Sequence, residues 1–499
     1  MTTPDPLVLA IDVGTSAVKL LLVEPDGSIA ARTSRAYPVS TPRAGWSEQD
    51  PEDWWEGTCA GVRELLAQPG ISPDRVACVG LSGQMHGMVP LDDTGAVVRP
   101  AILWNDQRSQ AQCDALHGRL GRERVIAITG KPMLPSFTAP KVLWMRDHEP
   151  DLHARIARVL LPKDYVRYRL CCSFVSDVAD SSGTSYLDLG ARAWSADMLG
   201  AIGLRDSSVP TLHESPEVCA RVERSGAEAT GLRVGTPIVA GAGDQAAEGV
   251  GSGIVRPGGV SVAVGTSGVA FAATDAASPD PSGSIHSYCS AIPGGYHVMG
   301  VMLSAGGSFN WCVDALYPDL ADDSSPHATV LRRAEPIEPG AAGLTFLPYL
   351  TGERCPHPDP EARGAFVGLT PAHTRDHMAR AVLEGVAYGL RDLIALIPDT
   401  GTPVDSVRVT GGLTRSGFFR QLCADVWGVG VTAPAASEGA AYGAAVLALV
   451  GAGLHASVES AADSLVRDAH RTRPGDGREG YDDRYARYRS LYPALRGHF

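Results

Sequence analysis

Short apolar runs in the first part of the chain are typical of strands in a covered sheet. They span residues 7–11, 17–23, 76–81 and 101–104, and several are rich in Val, Ile and Leu. Residues 52–66 instead place apolar side chains at helical spacing, which predicts a helix between strands. The alternation of strands and helices predicts an α/β fold.

An internal repeat indicates a duplication. Val13–Ser16, with a valine two positions later, recurs half a chain further on as Val264–Ser267, again with a valine two positions later. A strand-turn-strand with a Gly-Thr-Ser corner in each half predicts two similar α/β domains that face each other across a cleft. Because the chain is rich in glycine, a chance match of these residues is the alternative.

Chain length and glycine content suggest where the domains divide. A chain of 499 residues is too long for one ordinary hydrophobic core, so we expect two domains. Residues 237–253 pass from an apolar run into a segment rich in Gly and Ala, whose glycines can absorb a hinge rotation. We therefore expect the domains to cover residues 1–243 and 244–499.

Composition argues against several classes of protein. The net charge of -13 opposes binding to the phosphate backbone of nucleic acid. Residues 440–451 form the longest stretch of small apolar side chains, which is too short to cross a membrane and predicts a buried helix. The N-terminus lacks the features of a signal peptide, and the ten cysteines form neither a zinc pattern nor a disulfide framework. We expect a cytoplasmic protein with reduced cysteines.

The first corner, Gly14-Thr15-Ser16, follows a strand that carries Asp12 near its end. The backbone N–H groups of such a turn can cradle a phosphate, while Asp12 helps to hold Mg²⁺ directly or through water. The turn is not a Walker A loop, because the GxxxxGK[ST] pattern is absent and a strand follows. An ordinary hairpin corner is the alternative interpretation.

The second corner, Gly265-Thr266-Ser267, carries no acidic residue and offers only N–H and hydroxyl donors. A further donor turn, Gly411-Gly412, joins a predicted strand to a predicted helix, where a nucleotide can lie against the backbone. A corner that binds metal, opposite a corner that binds phosphate, suits ATP.

Polar side chains follow two apolar strands of the N-terminal half. Gln84 and His86 can hydrogen-bond to sugar hydroxyls, and Met85 offers an adaptable apolar wall. Trp104 and Asp106 belong to a second polar cluster after the strand at 101–104. Two such clusters predict a polyhydroxylated ligand at the carboxyl edge of the sheet. For His86, a structural role is the alternative.

Asp244 stands among glycines and alanines that leave room for a substrate hydroxyl, with Gln245 directly after it. This exposure suits a general base that takes the hydroxyl proton during phosphoryl transfer. The alternative is an N-cap for the helix predicted to begin at Gln245.

Together these features resemble the FGGY family of carbohydrate kinases along nearly the whole chain. Residues 138–148 resemble the first family signature, and residues 364–369 with 377–384 resemble the second. The resemblance implies a duplicated actin-like (ribonuclease H-like) ATPase fold. It also implies that the domain at 1–243 binds sugar and the domain at 244–499 binds mainly nucleotide.

Five further phrases resemble most the branch of the family that phosphorylates D-xylulose. They lie at residues 45–51, 83–87, 100–106, 161–165 and 347–354. This resemblance implies transfer of a phosphoryl group from ATP, with Mg²⁺, to give D-xylulose 5-phosphate in the catabolism of D-xylose.

The resemblance also implies roles for single residues. Asp244 would be the catalytic base, and Asp12 would be required at the metal–phosphate site. Met85 and His86 would contact the ketopentose, and residues 411–412 would line the nucleotide site. Each role agrees with the chemistry that the residue types suggest.

One residue departs from the pattern of this branch, since Gln245 stands where an asparagine is common. The longer amide leaves open another ketose or polyol, such as ribulose, a pentitol, gluconate or glycerol. A non-catalytic sugar sensor is disfavoured because Asp12 and Asp244 are both present. We expect sugar and ATP as partners, no nucleic acid and no membrane, and we leave a homodimer open.

Overall fold

The computed structural model describes residues 5–435 and 438–499. The expectation about the very start of the chain concerns residues 1–4 and lies outside the described residues. The described chain forms two α/β halves, each built on one large mixed sheet. No helix in the described ranges is both long and apolar enough to cross a membrane.

The N-terminal half contains many short elements besides its main sheet. Its strands are β1 (Leu7–Val13), β2 (Ala17–Val23), β3 (Ile29–Ala36), β4 (Glu48–Gln49), β5 (Val76–Gly83), β6 (Val89–Leu91), β7 (Ala101–Ile102), β8 (Arg158–Leu160), β9 (Val175–Asp177), β10 (Leu187–Asp188), β11 (Ala193–Trp194), β12 (Thr211–His213), β13 (Val218–Arg221), β14 (Pro237–Val239) and β15 (Ala242–Gly243). Its helices are α1 (Pro51–Leu66), α2 (Gln110–Leu120), α3 (Arg122–Thr129), α4 (Thr138–His148), α5 (Pro150–Ala154), α6 (Pro162–Cys171), α7 (Val178–Ser181), α8 (Ala196–Ile202), α9 (Arg224–Thr230) and α10 (Asp244–Gly251).

The C-terminal half has longer helices. Its strands are β16 (Gly258–Val264), β17 (Gly268–Thr274), β18 (His286–Cys289), β19 (Tyr296–Met302), β20 (Thr345–Leu347), β21 (Ala365–Val367), β22 (Val404–Thr410), β23 (Val431–Pro434) and β24 (Asp468–Thr472). Its helices are α11 (Gly306–Leu316), α12 (Pro326–Ala334), α13 (Arg375–Leu396), α14 (Gly417–Trp427), α15 (Gly439–Gly451), α16 (Val458–Leu465) and α17 (Tyr481–Leu495).

The two main sheets share one topology. In the first, β3, β2 and β1 are antiparallel neighbours, and β5 and β14 follow β1 in parallel. In the second, β19, β17 and β16 are antiparallel neighbours, and β22 and β23 follow β16 in parallel. The Gly-Thr-Ser corners therefore join equivalent hairpins, β1–β2 and β16–β17. The predicted duplicated α/β fold is confirmed.

The predicted strand at 101–104 differs from expectation. Only Ala101–Ile102 is extended, and it pairs with Glu48–Gln49 in a small ribbon outside the main sheet. The chain leaves the strand at Leu103, whose backbone N–H donates to the carbonyl of Ser47. Trp104 and Asp106 thus lie on a loop, not at an end of a main-sheet strand.

Helices α10 and α15 pack against each other between the two halves. A Cβ atom on Gly443 of α15 would lie 1.8 Å from the carbonyl oxygen of Ala247 in α10. Helix α15 also lies on the first sheet, where a Cβ atom on Gly80 would come within 2.1 Å of the carbonyl oxygen of Ala444. The stretch at 440–451 is therefore the buried helix that its composition predicts, and its small residues allow two close backbone approaches.

Candidate active site

Asp12 lies at the end of β1, opposite Lys19 of β2 and Ser82 of β5. Its Oδ1 atom is buried and has no hydrogen-bond partner among the described residues. Burial raises the pKa of Asp12 to about 6 and nearby Glu248 adds to this, while Ser82 and Lys19 act in the opposite direction. A buried, partnerless carboxylate oxygen at a strand end is suited to bind a cation or a donor.

The first corner is held by side chains from three directions. The Tyr37 hydroxyl donates to the carbonyl of Gly14 (2.6 Å), and Trp104 Nε1 donates to Thr15 Oγ1 (3.0 Å). Gln84, which is buried, accepts from Thr15 Oγ1 (3.2 Å), and its amide nitrogen lies 2.9 Å from Oε1 of buried Gln49. These contacts fix the turn before any ligand binds, which favours a preorganised phosphate site.

Two residues expected at the sugar site therefore contact the first corner instead. Gln84 turns its amide toward the corner, and Trp104, which is 40% exposed, reaches Thr15. Ser16 is exposed and its backbone carbonyl accepts from Tyr37. Sugar contacts by Gln84 and Trp104 stay predictions.

Asp244 is the first residue of α10 and is half-buried. Gly243 occupies the N-cap position and the helix has no side-chain cap hydrogen bond, so the structure does not support the capping alternative for Asp244. Burial raises the pKa of Asp244 to about 7, and the negative charges of Asp12 and Glu248 add to the shift. Hydrogen bonds from Gln245 lower it. A carboxylate with such a pKa is matched to proton transfer near neutral pH.

Glu248 is a third carboxylate at this site, and sequence reasoning missed it. It lies four residues after Asp244 on the same helix, so both side chains lie on one face. Its Oε1 atom accepts a hydrogen bond from Thr410 Oγ1 (2.8 Å), and burial raises its pKa. The four-residue spacing of Asp244 and Glu248 in the sequence could have indicated that both carboxylates lie on one helix face.

Met85 and His86 follow β5, and Met85 lies beside Gly243, the residue that precedes Asp244. Met85 is buried, and a Cβ atom on Gly243 would lie 2.7 Å from its Cγ atom. His86 has a positive φ of 68°, and its Nδ1 atom lies 2.8 Å from the carbonyl of Gly183. Burial lowers the pKa of His86 well below its usual value, which keeps the ring neutral.

Two buried lysines hold the segment around His86, and both lay outside our predicted site. Lys141 Nζ donates to the carbonyl of His86 (2.9 Å), and Thr138 Oγ1 donates to the same oxygen (3.1 Å). Lys131 Nζ donates to the carbonyl of Ser182 (2.7 Å). Burial lowers the pKa of each lysine to about 7. The first family signature, which contains Thr138 and Lys141, therefore supports the backbone of His86.

Asp106 is fully buried, and its carboxylate is already satisfied. Its oxygens accept from the backbone N–H of Ser47 (2.7 Å) and from Arg108 Nε (2.9 Å). Arg108 also pairs with Glu48. In this structure Asp106 anchors its own loop, and its predicted sugar contact stays a prediction.

The second corner opens into a separate cleft of about 300 Å³ in the C-terminal half. Gly265 and Thr266 are exposed there, and Ser267 is half-buried. The start of α11 packs behind the corner, since Gly306 N–H donates to the carbonyl of Gly265 (2.8 Å). The cleft is lined by Val264, Gly265, Thr266, Gly306, Phe309, Asn310, His327, Leu331, Gly412 and Leu413.

The turn after β22 approaches the second corner closely. Gly411 has a φ of +102°, and a Cβ atom there would lie 2.2 Å from the carbonyl oxygen of Val264. Only glycine fits this conformation and this gap. Gly412 lines the cleft directly. The structure thus brings together residues 411–412 and the second corner, and adds Asn310 and His327, whose side chains lie 3.0 Å apart.

The donor set fits Mg²⁺ only in part. Within the described ranges, no group of three or more His, Cys, Asp or Glu side chains could hold a metal ion by itself. The partnerless Oδ1 of Asp12 is a hard oxygen donor of the kind that Mg²⁺ prefers. Mg²⁺ usually keeps several waters and binds one or two carboxylates plus substrate phosphates. Asp12 therefore fits as one protein ligand of a metal held jointly with phosphate oxygens.

The second family signature lies away from both sites. Its helical part belongs to α13, where buried Glu384 accepts from Gly340 N–H (2.9 Å), Arg380 Nε (2.8 Å) and the Tyr481 hydroxyl (3.0 Å). This segment ties α17 to the core of the C-terminal half. Tyr481, Tyr485 and Tyr488 of α17 are thus packing residues of this core.

Comparison with known proteins assigns the chain to a class. The models of the N-terminal and C-terminal domains of the FGGY family of carbohydrate kinases match residues 7–251 and 260–452. The chain belongs to this family, as its signatures predict.

Among individual relatives, a xylulose kinase of Escherichia coli K12 is 39% identical over 98% of this chain and 99% of its own length. A gluconokinase of Bacillus subtilis is 28% identical over 97% of this chain and 94% of its own length. A crystal structure described as a xyloylose kinase from Brucella ovis superposes with a TM-score of 0.91 at 38% identity, covering 98% of this chain and 99% of the other.

Proposed function

We propose that this protein phosphorylates D-xylulose with ATP and Mg²⁺, giving D-xylulose 5-phosphate in D-xylose catabolism. The observation that carries the proposal is a pair of half-buried carboxyl groups, Asp12 and Asp244, with raised pKa values beside a preorganised Gly-Thr-Ser corner. A binding module has no need of a base tuned to neutral pH. The similarity to xylulose kinases over the full chain supports the choice of sugar.

In the proposed mechanism Asp244 removes the proton of the terminal hydroxyl, taken as O5, as that oxygen attacks the γ-phosphate. The small neighbours Gly243 and Ala246 place no large side chain beside its half-buried carboxylate. General-base catalysis contributes about 10²–10⁴-fold in rate. Positioning and electrostatics supply most of the remaining acceleration.

We assign the sugar to the N-terminal half, against Met85 and His86. Because Nδ1 of the neutral His86 ring donates to the carbonyl of Gly183, its Nε2 atom can accept a hydrogen bond from a sugar hydroxyl, and the buried Met85 gives an apolar wall. Trp104, Asp106 and Gln245 stay proposed members of this site. Gln84 is proposed to act on both the sugar and the first corner.

We assign ATP mainly to the C-terminal half, with its phosphates between the two corners, Gly14–Ser16 and Gly265–Ser267. The turn at 411–412 lets the nucleotide approach the backbone. Mg²⁺, when bound with ATP, would neutralise charge on the transferring group, with Asp12 as its ligand directly or through water. Closure of the cleft would exclude water from the γ-phosphate.

We further propose a cytoplasmic location, supported by ten cysteines that are all free. The domain limits at 1–243 and 244–499 and a homodimer are also proposals. Sedimentation or light scattering measures the mass of the assembly directly.

The test is a coupled ADP-release assay with ATP and Mg²⁺ on wild type and Asp244→Ala. The panel contains D-xylulose, D-ribulose, L-ribulose, L-xylulose, xylitol, D-arabitol, gluconate and glycerol. We expect the highest kcat/KM for D-xylulose, and a loss in the variant of about 10²–10⁴-fold, or roughly 3 to 5 kcal/mol. Gluconate is the second candidate because one relative is a gluconokinase. Absence of turnover with every sugar would favour the sensor instead.

A further inference from the structure

Glu248 connects the helix of the base to the strand that leads to the nucleotide turn. It lies one helical turn after Asp244 on α10, and its carboxylate accepts from the hydroxyl of Thr410 at 2.8 Å. Thr410 is the last residue of β22 in the second sheet. This hydrogen bond therefore joins α10, which follows β15 of the first sheet, to β22 of the second sheet.

The link continues directly into the nucleotide cleft. Gly411 follows Thr410, and its close approach to Val264 leaves no room for even one added carbon. Gly412 then lines the cleft beside Gly265. A displacement of Thr410 would move this turn, because the packing against β16 leaves it little freedom to adjust.

We propose that Glu248 is a positioning residue, which fixes the base relative to the nucleotide through its hydrogen bond to Thr410. The inference rests on the proposed function and adds to it the hydrogen bond between Glu248 and Thr410, which has no part in the mechanism proposed above. Phosphoryl transfer depends on alignment of the attacking oxygen, and a shift of about 1 Å can cost about a hundredfold in rate. A contact between the two halves is well placed to set that alignment.

Charge is the competing explanation for any effect of Glu248. Its carboxylate raises the pKa values of Asp12 and Asp244, while Lys19 and the hydrogen bond from Thr410 stabilise the charged form of Glu248 itself. Glu248→Gln removes the charge and keeps an oxygen that accepts from Thr410. Glu248→Ala removes both, and Thr410→Val removes only the hydrogen bond.

The experiment measures steady-state kinetics of these three variants and of the double variant Glu248→Ala/Thr410→Val with D-xylulose and Mg-ATP. Measurements are made at pH 8.5, where Asp244 is ionised. We expect Glu248→Ala and Thr410→Val each to lower kcat about tenfold to a hundredfold, with KM for the sugar nearly unchanged. The double variant should be no slower than the slower single variant, because both remove one interaction. Glu248→Gln should stay within about threefold of wild type.

Thr432→Val is the matched control. Thr432 is a buried threonine on the neighbouring strand β23, and its hydroxyl donates to the carbonyl of Val407 (3.5 Å) away from the cleft. We expect its kcat to equal that of wild type. Melting temperatures of all variants separate a loss of kcat from a loss of folded protein.

Each outcome decides the inference. Unchanged kcat in Thr410→Val, additive losses in the double variant, or a loss in Glu248→Gln equal to that in Glu248→Ala would overturn it. If Glu248→Ala does not fold, Thr410→Val decides alone. If wild type turns over D-xylulose normally while the variants match it, only this inference fails. If wild type releases no ADP with any sugar, the proposed function fails and the inference with it.

Discussion

Asp244 illustrates how position alone changes the chemistry of a common residue. Aspartate is ordinarily ionised at neutral pH, but here burial and two neighbouring carboxylates raise the pKa of Asp244 to about 7. The same group thereby becomes a better proton acceptor and a less favourable buried charge. Catalytic fitness and stability are opposed at this one residue.

The first residue-scale prediction concerns pH. Because the base must be ionised, kcat/KM for the sugar should fall tenfold per pH unit below an apparent pKa near 7, the value for Asp244. The measurement is a rate profile from pH 5 to 9 at fixed free Mg²⁺. Rates that stay level down to pH 5 would contradict the assignment of Asp244.

The second residue-scale prediction concerns the stability of the folded protein. Since the folded state raises the pKa of Asp244 from 3.8 to about 7, it binds an extra proton, and stability is lost as pH rises between these values. Asp244→Asn carries no such charge and should be more stable than wild type by about 1 to 3 kcal/mol at pH 8. The gain should shrink at pH 5. Urea unfolding at both pH values measures it, and a variant less stable than wild type at pH 8 would contradict the argument.

At the scale of elements, α10 and α15 form the contact on which the arrangement of the two sheets depends. The backbones of α10 and α15 approach because Gly443 faces Ala247, and α15 approaches β5 because Gly80 faces Ala444. Helix α15 follows β23 of the second sheet along the chain, yet it packs on the first. The small apolar residues of α15 therefore let its backbone come close to its neighbours, which large side chains would prevent.

Gly443→Ala tests this packing. The new methyl group would overlap the carbonyl of Ala247, so the helices must separate, and we expect a loss of about 1 to 3 kcal/mol together with reduced activity. Gly118→Ala is the control, because Gly118 lies inside α2 with nothing within 4 Å of an added Cβ. That variant should gain about 0.5 to 1 kcal/mol. Thermal unfolding of both decides, and equal melting temperatures would refute the close contact.

At the scale of the whole molecule, the two halves are not independent in their cores. Apolar side chains of the first sheet, including Val8, Leu21 and Val23, share one buried cluster with Val446 and Leu449 of α15. The segment that closes the N-terminal core thus comes from near the end of the chain. We therefore expect the first half to need α15 for a stable fold.

A fragment of residues 1–251 should therefore lack cooperative unfolding when expressed alone, because the face of its sheet under α15 is exposed to water. Addition of a fragment of residues 252–499 should restore cooperative unfolding. Circular dichroism with urea unfolding measures both states. A fragment that unfolds cooperatively by itself would mean that α15 is dispensable for the N-terminal core.

The sequence by itself determined the periodic elements and the glycine corners. Strands β1, β2, β5 and β22 and helix α1 follow from local apolar patterns. Asp12 could be singled out because it comes just before a Gly-Thr-Ser corner, and Asp244 because it stands among small residues. Such signals are local, since they depend on backbone preference and on the period of burial.

Only the tertiary structure decided which polar groups meet. Gln84 contacts the first corner, Asp106 accepts hydrogen bonds from Arg108, and Glu248 accepts one from Thr410, which is 162 residues away in the chain. The strand expected at 101–104 ended early because its partner is a short ribbon and not the main sheet. The contact between Glu248 and Thr410 depends on the packing of the two sheets through α10 and α15, and the other two depend on how loops fold beside the first sheet. No periodic pattern in one segment records the geometry of another.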